Sequence, residues 1–66
     1  MPSITFESGQ LTTEIKLELM QQLTDVSSRI TGIGIDFFQV SIRELPDENI
    51  AVGGKTLKQI KFELGN

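Results

Sequence analysis

Between Ile15 and Ile30 the apolar residues Ile15, Leu19, Leu23, Val26 and Ile30 recur at spacings of 4, 4, 3 and 4. On a helix of 3.6 residues per turn they fall within a stripe of about 80°. Glu14, Glu18, Gln21 and Asp25 lie on the far side. This long amphipathic helix constrains the fold because of what flanks it. Before it, Ser3 to Ser8 alternates, with Ile4 and Phe6 on the side of Pro2 and Ser3, Thr5 and Glu7 on the other. After it, Phe37 to Leu45 alternates too, with Phe38, Val40 and Ile42 on one face and Phe37, Gln39, Ser41 and Arg43 on the other. A period of two predicts half-buried strands. Two short strands joined by a long helix make a βαβ unit, parallel and right-handed in its crossover. The helix covers one face of that sheet, and nothing else in the chain is long enough to cover the other.

The boundaries follow from local chemistry. Gly9-Gln10 ends the first strand. Thr12 or Thr13 is placed to cap the helix, with Glu14 in the first turn where the helix dipole favours an acid. Asp25 and Arg29 form a favourable i,i+4 pair. Leu17 points outward and Met20 sits at the edge of the stripe, which makes both candidate subunit contacts. Thr31-Gly32 and then Gly34 stop the helix. Pro46-Asp47-Glu48-Asn49 is turn composition. Ile50-Ala51-Val52, Gly53-Gly54 and Lys55-Thr56-Leu57 read as a hairpin about a Gly-Gly turn. The tail from Lys58 to Asn66 fits a helix through Leu57, Ile60 and Leu64, or a strand through Ile60, Phe62 and Leu64. The fold class is therefore α+β, a βαβ unit plus a C-terminal hairpin, expected as one domain over residues 1–66.

Sixty-six residues bury only about 60% of the surface that the unfolded chain exposes. Disulfides, a metal or oligomerisation normally make up such a deficit. The chain has no Cys and no His, which removes disulfides and a zinc site and leaves oligomerisation. A formal net charge of -3 argues against nucleic-acid and anionic-membrane partners, which require basic patches. The apolar runs fall far short of the ~20 residues that span a bilayer. No charged-then-apolar leader precedes the fold, so a soluble cytoplasmic protein is expected.

Several motifs are decoys. Gly54-Lys55-Thr56 resembles the end of a P-loop, but Asn49 stands where its first Gly is needed, so the hairpin reading holds. Gly32-Ile33-Gly34 follows a helix rather than a strand and reads as a loop. Glu44, Asp47 and Glu48 read as solvated turn acids, and Lys16, Lys55, Lys58 and Lys61 as dispersed surface charge.

Pro2 remains. Once Met1 is removed, as a second-position Pro usually permits, its nitrogen becomes a secondary amine at the mouth of a strand. In a chain without His, Cys or Tyr it is the candidate general base. Together with Pro2, three features resemble the 4-oxalocrotonate tautomerase family: the helix with Asp25-Val26, a second strand ending Arg43-Glu44-Leu45-Pro46, and Glu48-Asn49-Ile50-Ala51-Val52-Gly53-Gly54-Lys55. The match is nearest its small DmpI-like members and spans about residues 2 to 57.

That resemblance implies a cofactor-independent isomerase that moves a proton within a small enol or keto acid. It also implies a homo-oligomer, a hexamer before a trimer or dimer, whose hairpin helps close a neighbour's site. The family's two carboxylate-gripping Arg positions fall at Leu11 (or Gln10) and at Gln39, and its aromatic before the Gly-Gly turn falls at Ile50. Pro2 carries over and the Arg clamps do not, since Gln cannot replace the charge of a bidentate Arg. Arg43 shares a face with Gln39 about 13 Å along the strand. It is open to a substrate carboxylate or to an acid such as Glu44 or Asp47 of a neighbour. The expected site is thus Pro2 as catalytic base with Gln39, Arg43, Leu11 and Ile50 as substrate contacts, and Ile50, Val52, Leu11 and Phe37 as apolar walls. Hydration or dehalogenation of an unsaturated acid is one alternative. A non-catalytic binding or assembly protein on the same scaffold is the other.

Overall fold

The computed structural model describes residues 1–65. The chain runs β1 (Ser3–Ser8), α1 (Thr13–Thr31), β2 (Gln39–Glu44), β3 (Ala51–Val52), β4 (Lys55–Thr56) and α2 (Leu57–Gly65), with single 3₁₀ turns at Ile35–Phe37 and Asp47–Asn49. β1 and β2 pair in parallel, in register from Ser3 opposite Gln39 to Ser8 opposite Glu44. β3 and β4 form the antiparallel hairpin. The Asn66 end of the expected tail lies outside the described residues.

Local chemistry sets each boundary. Thr12 caps α1, its hydroxyl accepting from the Ile15 N–H at 3.2 Å. Gly32 ends it with φ of 79°, a left-handed conformation open to glycine without strain. The second strand is shorter than the Phe37 to Leu45 span expected from alternation. Phe37 and Phe38 donate their N–H groups back to Gly34 and Ile35, so a 3₁₀ turn consumes them before pairing begins. At the far end the Leu45 N–H still reaches Ser8 O at 2.9 Å, but Pro46 has no N–H to continue.

The tail is helical. Thr56 and Gln59 form a reciprocal capping box: Thr56 Oγ1 accepts from Gln59 N–H at 3.1 Å, and Gln59 Oε1 accepts from Thr56 N–H at 3.0 Å. Lys55–Glu63 and Lys61–Asp47, both 2.7 Å, tie α2 to the hairpin and to the turn before it.

The helix does not meet the sheet through the centre of its apolar stripe. Lys16, Leu19, Met20, Leu23, Thr24 and Ser27 are half-buried. Ile15, Val26 and Ile30 remain exposed, Ile30 by 77%. The half-buried face is centred about 80° around the helix from the stripe. Two strands some 4.8 Å apart offer a ledge narrower than the ~10 Å helix. The sheet therefore takes part of the apolar surface and leaves the rest. Met20 accordingly turns inward, whereas Leu17 stays exposed as expected.

Two of the acids expected to be solvated have structural work. Glu44 accepts from the Leu11 N–H at 2.8 Å through Oε2 and from Lys16 Nζ at 3.0 Å through Oε1. It thereby fastens the β1–α1 loop and the first turns of α1 to the end of β2. Those bonds, the Leu11 N–H first and the Lys16 ammonium second, hold its carboxyl below the ordinary carboxylate range. Asp47 holds Lys61. Asp25 and Arg29 do not close to an ion pair.

No described residue is fully buried. The radius of gyration is 15.4 Å and the extents are 45 × 23 × 16 Å. A compact chain of this length would have a radius of about 11 Å. The hairpin and α2 project from the βαβ unit as an arm.

Two expectations follow. The lowered pKa of Glu44 contributes stability that is complete above its unfolded value and is lost as pH falls through the lower folded value. Thermal unfolding between pH 7 and pH 3 should show wild type losing stability on acidification, with Glu44→Gln less stable at neutral pH and less sensitive to acid. Gly53 and Gly54 have φ of 61° and 85°, the sign pattern of a type I′ turn. Gly54→Val should therefore cost about 1–2 kcal/mol. In the same melts Gly34→Ala, at φ of -61° and with only ordinary contact to Phe37, should stay near wild type.

Candidate active site

Pro2 stands one residue before β1 and is half-buried. Its carbonyl accepts the Gln39 N–H at 3.0 Å, which fixes the start of β1 against the start of β2. Continuing the register by one residue puts Phe38 opposite Pro2. By strand alternation Pro2 shares its face with Ile4, Phe6, Phe38, Val40 and Ile42, the apolar side under α1. With Met1 attached, the Pro2 nitrogen is an amide without a basic lone pair. With Met1 gone, the nitrogen is a secondary amine in a mostly apolar setting.

Of the expected substrate contacts, Gln39 is brought close to Pro2, and through its backbone. The Gln39 side chain belongs to the opposite face, with Ser3, Thr5, Glu7, Ser41 and Arg43. Arg43 lies opposite Glu7, exposed and in no ion pair among the described residues.

Leu11 and Ile50 belong to the other end of the strands, about 20 Å from Pro2 at a rise of ~3.3 Å per residue. Leu11 is held there by Glu44. Ile50 lines a cavity of about 650 Å³ with Ser8, Gly9, Leu45 and Leu57, and its carbonyl accepts the Leu57 N–H at 2.8 Å. Val52 and Phe37, expected as walls, are exposed by 63% and 58%. In one copy, therefore, Pro2 and Phe38 lie at one end of the strand pair and Ile50 and Leu11 at the other.

Phe38 is the neighbour that sequence reading missed as a wall. Its parity with Val40 and Ile42 marked its face, but only the register shows that it lies level with Pro2. Among the described residues no group of three or more acids is placed to hold a metal ion. No described helix is long and apolar enough to cross a membrane.

Comparisons with known proteins bear on what this arrangement is. The profile of the tautomerase enzyme family matches residues 2–60. No curated protein matches the sequence. DmpI from Archaeoglobus fulgidus is 32% identical, covering 86% of this chain and 98% of its own, with a TM-score of 0.80. An apo unfused 4-oxalocrotonate tautomerase is 25% identical over 89% of this chain and 98% of its own, with a TM-score of 0.85. A heterohexameric 4-oxalocrotonate tautomerase from Chloroflexus aurantiacus J-10-fl reaches a TM-score of 0.86 at 21% identity, over 91% and 98% of the two chains, a likeness of fold. A parallel βαβ unit opening on Pro2, a Gly-Gly hairpin after it, and a profile match over nearly the whole length lead to one conclusion: this chain belongs to the tautomerase enzyme family.

Proposed function

We propose that the chain, once Met1 is removed, is a cofactor-independent tautomerase of the 4-oxalocrotonate tautomerase type. Its Pro2 amine acts as general base on the enol or keto form of a small carbonyl acid. The observation that carries this reading is the placement of Pro2, fixed by the Gln39 N–H at the mouth of a parallel sheet and set opposite Phe38. The amine removes a proton from the enol hydroxyl, the electron pair moves through the conjugated system, and the ammonium returns the proton to carbon. The amine is regenerated and no other reactant is consumed. Proton transfer by a positioned base of this kind is worth about 10²–10⁴-fold.

The distance of Ile50 and Leu11 from Pro2 within one copy supports an assembled enzyme, a homohexamer in a cytoplasmic setting. Pro2 of one copy is completed there by Ile50 and Leu11 of another. Gln39 and Arg43 face the opposite side of the sheet and reach a substrate only across a contact between copies. Gln39 offers an amide where two charges would need a second cation, so a monoacid or neutral enol fits better than a dicarboxylate. Hydrogen-bond donors at the developing enolate, Arg43 among them, stabilise the transition state.

Ketonisation of phenylenolpyruvate by protein whose mass shows that it begins at Pro2 tests the base. Pro2→Ala should lower kcat/KM by about 10²-fold or more, and protein retaining Met1 should be inactive. Activity unchanged in Pro2→Ala removes the amine from the mechanism. No ketonisation by correctly processed protein favours the non-catalytic scaffold. Arg43→Gln should raise KM for a carboxylate-bearing enol while leaving kcat within a few-fold, the pattern of lost uniform binding. Equal KM values would free Arg43 from that role.

A further inference from the structure

On the side of the strand pair that carries Pro2, neither strand places a polar side chain near the amine. By register and alternation that side presents Pro2, Ile4 and Phe6 from β1 and Phe38, Val40 and Ile42 from β2. Gln39, Ser41 and Arg43 belong to the opposite side. A group attached to the carbon that exchanges a proton with Pro2 is therefore met, from these two strands, by hydrocarbon rather than by charge.

Phe38 is the member of that set placed to receive such a group. Neighbouring strands lie about 4.8 Å apart, so side chains at one level on one face stand side by side. Phe38 stands so beside Pro2. Its backbone is fixed on both sides: its own N–H donates to Ile35 O at 3.2 Å, and the N–H of Gln39, the next residue, donates to Pro2 O at 3.0 Å. With φ of -91° and ψ of 139° it is already extended, in the alternation that continues to Val40. Its side chain is half-buried, so part of it stays open. Phe37 does not share this place. It is exposed, with Cδ2 3.6 Å from where a Cβ on Gly34 would stand.

Aromatic rings pair in offset or edge-on arrangements with centroids about 4.5–7 Å apart. One strand spacing, about 4.8 Å, falls within that range. A ring on the reacting carbon beside Pro2 is thus within pairing distance of Phe38.

We propose that Phe38 is a specificity-determining residue, which selects enol and keto acids whose reacting carbon bears an aryl or other flat apolar substituent. The inference rests on the reading of Pro2 as the reacting amine, and it names what that site takes: one carboxylate and a ring, in place of a second charged group.

Binding of unreactive planar acids tests this apart from catalysis. trans-Cinnamate and crotonate differ only in a phenyl or a methyl group on C3, and neither carries an enol proton for Pro2 to move. In isothermal titration of protein whose mass shows that it begins at Pro2, cinnamate should bind about tenfold more tightly than crotonate, or better. Phe38→Leu, apolar but without a ring, should cut that preference about fivefold and leave crotonate affinity within about twofold. Phe38→Met reads the same loss should the Leu variant unfold. Phe62→Leu, which removes a ring 76% exposed on α2, should leave the preference unchanged and controls for binding elsewhere. Equal affinities in the wild type, no binding of either acid, a preference that survives loss of the ring at position 38, or one that Phe62→Leu also removes would each overturn the proposal. Failure of the base leaves a different mark. Ketonisation untouched by Pro2→Ala, with the cinnamate preference intact, removes the amine from the chemistry and leaves Phe38 as the wall of a binding site.

Discussion

A two-stranded parallel sheet with one helix across it cannot close an interior around itself, and most features of this chain follow from that limit. Burial is the main favourable term in folding, at roughly 25 cal/mol per Å² of apolar surface. Here no described residue is fully buried, and large apolar side chains such as Ile30, Phe62 and Leu64 stand more than three-quarters exposed. Apolar surface on α1, on the open face of the sheet and on the projecting arm is thus left uncovered within one copy.

Within one copy, polar contacts hold the geometry that burial does not. Glu44 joins Leu11 and Lys16 to the end of β2, and so sets the level of α1 over the sheet. The Gln39 N–H to Pro2 carbonyl bond closes the other end of the strand pair. Three ties hold α2 to the hairpin and the preceding turn: the Thr56–Gln59 box, Lys55–Glu63 and Lys61–Asp47. Exposed ion pairs contribute little energy each, and their effect here is to fix orientation.

Much of this was legible beforehand where a signal is local. The first strand, a threonine cap at Thr12 or Thr13, the Gly32 stop and the Gly-Gly turn each depend on a few neighbouring residues; the cap is Thr12, and the other three appear as expected. The capping box at Thr56 and Gln59 is equally local and would have settled the tail as a helix. Apolar periodicity was ambiguous there because Ile60 and Leu64 serve a helix or a strand alike. The second strand was read too long for a related reason, since alternation at Phe37 and Phe38 cannot reveal that their N–H groups are already spent in a turn.

What depends on contact between distant segments was not legible. The sequence by itself determined the elements, their parallel order, the family resemblance and the presence of Pro2 at the head of β1, because propensity, capping and crossover handedness act over short stretches. Only the tertiary structure decided which part of the α1 stripe the sheet takes, that Glu44 is a clasp, that Phe38 lies level with Pro2, and that Ile50 and Leu11 stand about 20 Å from Pro2. The physical reason is that register and helix rotation arise from packing between segments far apart in the chain, and a pattern of residue types carries the face of a strand but not its level.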